Sequence, residues 1–358
     1  MSSEGNKVLG ELKERKKQIS EFLDEYLEDW EDLEQDASRW RSDIKEKMQE
    51  MVKGGKMVRG SLVIKTHRFY GGEDIEDCLK VAGAIELLHT GLLMHDDIVD
   101  KDNYRREMPT FSKQYEDLGE QENIAHKHHF GNSMGIVGGD IAYFMGQGLL
   151  AELQTDPEIR REITRLVFSE FSSVGLAEQV DIYSGYAPEE IRENEIMRLY
   201  RDKTARYTFS LPFKAGAIMA GAESGEIEKL YDLGEKIGII FQLKDDELGL
   251  FGDESETGKS LGSDLDENKK TLHRLKLLQK LSEEESERMR ERLAGELSRK
   301  DREEILEKMR TLGIREEVKE KMQDLAEDAR DQIEELEISE EDKEFLNGMT
   351  DFCLNRSR

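Results

Sequence analysis

Residues 94–110 read MHDDIVDKDNYRREMPT, an acidic cluster followed at once by Arg105 and Arg106. On a helix, Asp96 and Asp100 are i and i+4, about 40° apart on one face. Carboxylates so placed offer oxygen donors to a hard cation. Magnesium takes one or two carboxylates together with phosphate oxygens and water. Asp97 flanks the pair as an auxiliary acid. Guanidinium forks suit phosphate groups. A pair of aspartates alone is usually just solvated, but here the apolar run LLHTGLLM comes first. That run implies a buried face, where a carboxylate needs a partner. Acids beside a basic pair fit a metal ion plus a diphosphate.

The segment FQLKDDELGLFGDESETGKSLGSDLDENKKT, 241–271, repeats this logic. Asp245 and Asp246 pair on an apolar helix, and Lys259, Lys269 and Lys270 follow among glycines that permit tight turns. Two such helices facing across a bundle would clamp one metal–diphosphate cluster, and bundle cores commonly host such sites.

These segments resemble the trans-isoprenyl diphosphate synthases, the farnesyl and geranylgeranyl diphosphate synthase family, in an archaeal-like form. DDIVD at 96–100 is similar to the family's first aspartate-rich motif, and FQLKDDELG at 241–249 to its second. GGKMVRG at 54–60, DKTA at 202–205 and DENKKT at 266–271 resemble its three basic motifs, in the same order. The likeness is clear over about 50–280. Departures are Met57 for an arginine, Gly60 for a proline, Asn268 for a glycine and Gly249 for a third aspartate. Lys56 and Arg59 are retained.

The resemblance implies a magnesium-dependent transferase that joins isopentenyl diphosphate to an allylic diphosphate, by ionisation, condensation and proton loss. Three Mg2+ ions would be held by Asp96, Asp100 and Asp245, with Asp97 and Asp246 alongside. Arg105, Lys203, Lys259 and Lys269 would hold the allylic diphosphate. Lys56, Arg59, His89 and Arg106 would hold isopentenyl diphosphate. Thr204 and Gln242 would lie beside the allylic carbon, and Gln179 and Asp181 would stand behind the metal site. Leu88, Gly91 and Leu92, before the first motif, would line the product tunnel. With no aromatic ring there, the implied product is geranylgeranyl diphosphate, with geranylfarnesyl or farnesyl diphosphate as alternatives. A type I terpene cyclase is the rival enzyme, but its second motif differs from DDELG. A non-catalytic synthase subunit is the other rival, but such subunits tend to lose an aspartate motif.

The elements that must position these residues are helices. The chain has 358 residues, only four prolines (109, 157, 188 and 212), and is rich in good helix formers. We expect an all-α fold, one bundle of the isoprenoid-synthase type spanning 1–358 around a central metal–diphosphate cavity. Residues 7–52 read as charged amphipathic helix, 101–133 as a loop region with a short helix, and 134–155 and 158–185 as apolar helices. A helix opening at Pro188 runs past Lys203, another covers 224–252, and 272–358 forms charged surface helices. Met134, Phe144 and Met145 read as core. His126, His128 and His129 read as loop residues rather than a metal cluster.

The net charge is −28, from 53 basic and 81 acidic side chains. Such a surface repels nucleic acid and anionic lipid. It serves either plain solubility or a salty cytoplasm, where ions screen the repulsion. Cys78 and Cys353 form no disulfide framework. The N-terminus lacks the apolar core of a signal peptide, and no run approaches a membrane span. A cytoplasmic location is expected, and by resemblance a homodimer.

Overall fold

The computed structural model describes residues 3–30, 38–105, 108–187, 189–252 and 268–356, with Gly262 and Leu265. The fold is all-α as expected, apart from a hairpin of two two-residue strands. In chain order come α1 (Ser3–Glu28), α2 (Ser38–Gly54), α3 (Val58–Phe69) and α4 (Glu76–Val99). Strands β1 (Tyr104–Arg105) and β2 (Met108–Pro109) pair antiparallel, Tyr104 opposite Pro109. Then follow α5 (Phe111–Gln121), α6 (Lys127–Ala151), α7 (Pro157–Tyr186) and α8 (Glu193–Tyr200). A π-helical segment, Arg201–Ser210, leads into α9 (Leu211–Met219) and α10 (Ser224–Phe251). The rest are α11 (Leu272–Lys280), α12 (Glu283–Leu293), α13 (Arg299–Thr311), α14 (Ile314–Glu334) and α15 (Glu340–Asn355). None of the described helices is long and apolar enough to cross a membrane.

The chain resolves into two compact units. The first comprises residues 9–167 and 215–222. Its centre is α4, whose Val81, Ala82, Ile85, Leu87 and Leu88 are buried. Helix α6 is glycine-rich, and glycine is a poor helix former, so its packing must compensate. A Cβ on Gly139 would lie 2.4 Å from His95 of α4, and one on Gly138 2.4 Å from Phe111 of α5. The glycines let three helix backbones approach closely. Gly60 does the same for α3 on α4, since a Cβ there would meet Ala82 O at 3.2 Å. That contact accounts for the small residue where the resemblance suggests proline.

The second unit comprises residues 1–8, 168–214 and 223–358. Helix α10 lies at its centre, and the π-helical segment, α14 and α15 pack on it. A Cβ on Gly238 would fall 2.3 Å from Ala205 Cα, and one on Gly234 2.5 Å from Ser210 Cα. α10 and the π-helical segment therefore cross at backbone contact. The charged tail forms discrete capped helices. Ser282 with Glu285, and Ser298 with Asp301, make reciprocal capping boxes.

Three expectations are corrected here. α6 begins at Lys127, so His128 and His129 lie in its first turn and not in a loop. No helix covers 189–192: α8 starts at Glu193, and Lys203 sits in π-helical backbone. Phe144 is 69% exposed and not core, whereas Met145 is buried.

Candidate active site

In the first unit, α4 delivers the first acidic motif. Its helical hydrogen bonding continues to Asp100, whose N–H donates to Asp96 O at 2.8 Å. Asp96 and Asp100 therefore stand one turn apart, half-buried and exposed respectively. The backbone of Lys101 turns left-handed, with φ 59°, and the β1–β2 hairpin doubles the chain back. This return places the Arg105 guanidinium on the acids. Nε donates to Asp97 Oδ1 at 2.7 Å, and Nη2 to Asp96 Oδ2 at 3.3 Å. Asp97 is buried, and its Oδ2 has no hydrogen-bond partner among the described residues. Burial pushes its carboxyl up to about 6, with Arg105 opposing the rise.

Lys56 is exposed and Arg59 half-buried, at the start of α3. Met57 between them is buried and left-handed at φ 49°, the residue before the first turn of α3. Gly60 N donates to Glu86 Oε1 at 2.8 Å. That bond sets the first turn of α3 against α4 less than one turn before His89. Arg106 and Lys259 lie outside the described residues.

Of the three residues expected to line the tunnel, Leu88 and Gly91 face α6. A Cβ on Gly146 would lie 2.9 Å from Leu88 Cγ, and a Cβ on Gly91 would lie 2.8 Å from both Gly139 O and the Tyr143 ring. The expected open space at Gly91 is thus corrected: an aromatic ring from α6 already fills it. Tyr143 packs edge-on against His95, ring centroids 5.3 Å apart. Leu92 is half-buried.

In the second unit, Lys203 Nζ is 2.9 Å from Glu178 Oε2 and also pairs with Asp181. Burial works against its charge, but Asp181 and Glu178 outweigh it and hold the ammonium above the ordinary lysine range. Gln179 is exposed. Glu178 is the partner of Lys203 that the sequence reading missed. It lies i, i+3 from Asp181 and so shares its face, whereas Gln179, two residues away, does not.

The backbone contact at Gly238 lets Thr204 Oγ1 donate to Gln242 Oε1 at 2.7 Å. Gln242 Nε2 donates to Asp246 Oδ1 at 2.8 Å, Tyr200 OH donates to Asp246 Oδ2, and Leu272 N donates to Tyr200 OH at 2.9 Å. Every donor in this chain has one direction open to it. A carboxylate only accepts, so the amide nitrogen of Gln242 must face Asp246 and its oxygen must face Thr204. Thr204 thus spends its proton on Gln242 and keeps its oxygen lone pairs. Burial and Asp246 push the Tyr200 phenol well up, so the proton stays on it.

Asp245, next to buried Asp246, has a side chain 59% exposed and pairs with Arg356 at 2.6 Å. Asn268 is left-handed at φ 53°, a conformation glycine adopts freely and asparagine tolerates. Lys270 is buried and donates to Ala187 O and Glu189 O, each at 3.3 Å, whereas Lys269 is half-buried. Lys270 therefore anchors the loop that presents Lys269. His128 bonds Glu116 at 2.8 Å, and among the described residues no three His, Cys, Asp or Glu side chains form a metal cluster.

The family model for polyprenyl synthetase matches residues 41–310. The chain belongs to the polyprenyl synthetase family. It is 33% identical over 305 residues to a short chain isoprenyl diphosphate synthase of Methanothermobacter thermautotrophicus, covering 85% of this chain and 87% of that one. It is 33% identical over 240 residues to a geranylgeranyl diphosphate synthase of Sulfolobus acidocaldarius, covering 65% and 66%. Among solved structures, a geranylgeranyl pyrophosphate synthase of Corynebacterium glutamicum, complexed with isoprenyl diphosphate and magnesium, matches with a TM-score of 0.85. That match has 27% identity and covers 98% of this chain and 99% of the other.

This synthetase-family chain offers donors that fit a hard divalent cation. Asp96 and Asp100 in the first unit, and Asp245 in the second, present carboxylate oxygens, the donor type magnesium prefers. Two of the three already attract a cation: Arg105 stands on Asp96, and Arg356 on Asp245.

Proposed function

We propose that the protein is a magnesium-dependent trans-prenyltransferase that condenses isopentenyl diphosphate with an allylic diphosphate, giving chiefly geranylgeranyl diphosphate. The observation that carries the reading is the Thr204–Gln242–Asp246–Tyr200 chain beside Lys203. It combines a diphosphate-binding cation with an oxygen whose lone pairs are kept for positive charge.

Asp96, Asp100 and Asp245 would hold the metal, three ions in all. When bound, magnesium would neutralise the charge that grows on the departing diphosphate. Lys203 binds that diphosphate, after exchanging Glu178 or Asp181 for its oxygens. The resemblance adds Arg105, Lys259 and Lys269 as further diphosphate ligands. As the allylic carbon–oxygen bond breaks, the Thr204 hydroxyl oxygen faces the developing cation. Gln242 and Asp246 fix the orientation of that hydroxyl in advance, so it need not reorganise during the step. Lys56, Arg59, His89 and Arg106 bind isopentenyl diphosphate, whose double bond then attacks. The proton lost afterwards passes to the released diphosphate, and no protein base is assigned.

The C20 product is supported by the Sulfolobus relative. A homodimer is supported by α6, where Ile136, Val137 and Phe144 share an exposed apolar stripe. The chain works as one helical domain in the cytoplasm, a reading that its acidic surface suits.

The test is incorporation of isopentenyl diphosphate onto farnesyl diphosphate in the presence of magnesium. EDTA should abolish the reaction and excess magnesium restore it. Undiminished condensation in EDTA would refute the metal assignment.

A further inference from the structure

The end of α15 places a cation on a carboxylate that the proposed function needs for a metal. Arg356 caps that helix, its N–H donating to Phe352 O at 3.0 Å. Its Nη2 donates to Asp245 Oδ1 at 2.6 Å and to Phe241 O at 3.3 Å. The guanidinium lies over the Phe241 ring, with Cζ 3.8 Å from the centroid. The arginine is 7% exposed, and its Nε has no hydrogen-bond partner among the described residues.

This is a buried charge held by incomplete means. A guanidinium has five N–H donors. Here one nitrogen makes both hydrogen bonds, and the ring face supplies the rest through cation–π attraction. The partner carboxylate stays more than half exposed and open to exchange. A divalent cation would bind the same carboxylate at about 2.0–2.1 Å. Two cations cannot share one oxygen at such distances without strong repulsion. A metal on Asp245 and Arg356 on its Oδ1 therefore oppose one another.

We propose that Arg356 is a resident counter-cation. It closes Asp245 in the empty enzyme and must withdraw when a metal binds, so that metal loading releases the end of α15 from α10. The inference rests on the reading of Asp245 as a metal ligand. A site that is open only part of the time binds with an affinity reduced by the open fraction. If the pair is formed nine-tenths of the time, its removal tightens metal binding about tenfold.

The experiment titrates manganese(II) alone into the full chain and follows free Mn2+ by electron paramagnetic resonance. Arg356→Gln should bind Mn2+ at this site about tenfold more tightly than wild type. Arg356→Lys, which keeps the charge but loses the planar stack, should fall between them. Asp245→Asn should lose the site. Wild-type binding by Asp245→Asn would mean that the metal reading itself is wrong. Loss of the site in Asp245→Asn with unchanged or weaker binding in Arg356→Gln would overturn the counter-cation and leave the metal reading intact. A lowered melting temperature in EDTA for Arg356→Gln or Arg356→Lys, with unaltered Mn2+ affinity, would make Arg356 a structural anchor and likewise overturn the proposal.

Discussion

Thr204 and Gln242 could be named from sequence because they sit inside matched motifs. Tyr200, which fixes Asp246, could not. It lies four residues before Thr204, and its role depends on the register between the π-helical segment and α10. Glu178 was legible in principle, since i, i+3 spacing from Asp181 puts both acids on one helix face. The spacing of Asp96 and Asp100 survived intact because α4 stays helical through both. The metal assignment lives at this scale. Asp96→Ala and Asp245→Ala should each lower kcat by on the order of 1000-fold, about 4 kcal/mol of transition-state stabilisation. Steady-state kinetics at saturating magnesium checks this, and near-normal turnover in either variant would remove that residue from the metal site. Product length is also a residue question. Gly91→Phe would drive a ring into Gly139 and Tyr143, so it reads packing rather than length. Leu92, half-buried on the same helix, is the better probe. Leu92→Phe should shift the product toward farnesyl diphosphate, and an unchanged product distribution from the folded variant would exclude Leu92 from the tunnel wall.

At the scale of elements, the sequence predicted α10 almost to its ends, because an apolar run bounded by glycine and acid is a strong helix signal. It predicted α8 and the π-helical segment poorly. A π-helix has no sequence period that separates it from an α-helix, and it is stabilised here by a crossing partner, Gly238, that lies 33 residues beyond Ala205. Helix α11 carries a further property that composition hides. His273 is fully buried, has no hydrogen-bond partner for either ring nitrogen among the described residues, and packs edge-on to Phe251. Burial lowers its pKa from 6.5 to about 4, with Glu247 opposing. The unfolded chain therefore binds this proton first as pH falls. The stability from neutral His273 is complete above about 6.5 and is lost as pH drops through about 4, a total on the order of 3 kcal/mol. Denaturant melts between pH 7 and 4 should show that decline. His273→Phe should flatten it, and an equally steep decline in the variant would show that other groups cause it.

For the whole molecule, the charge of −28 says that anionic ligands must be drawn in by local cations, and the two units each gather such cations beside acids. The exposed stripe on α6 was misread as core at Phe144, because helical spacing shows that a face is apolar without showing what covers it. If a second copy covers it, Phe144→Asp should convert a dimer to a monomer in sedimentation velocity. A wild type that sediments as a monomer at micromolar concentration would rule that partner out.

The central claim is that these residues join two diphosphates into a longer one, and the most direct measurement sizes the product. Wild type would be given labelled isopentenyl diphosphate, farnesyl diphosphate and magnesium, with Asp96→Ala in parallel. Label in a C20 diphosphate from wild type, absent from the variant and from the EDTA control, is the expected result. Consumption of farnesyl diphosphate to a cyclic hydrocarbon without incorporation of label, or no consumption at all, would contradict the account.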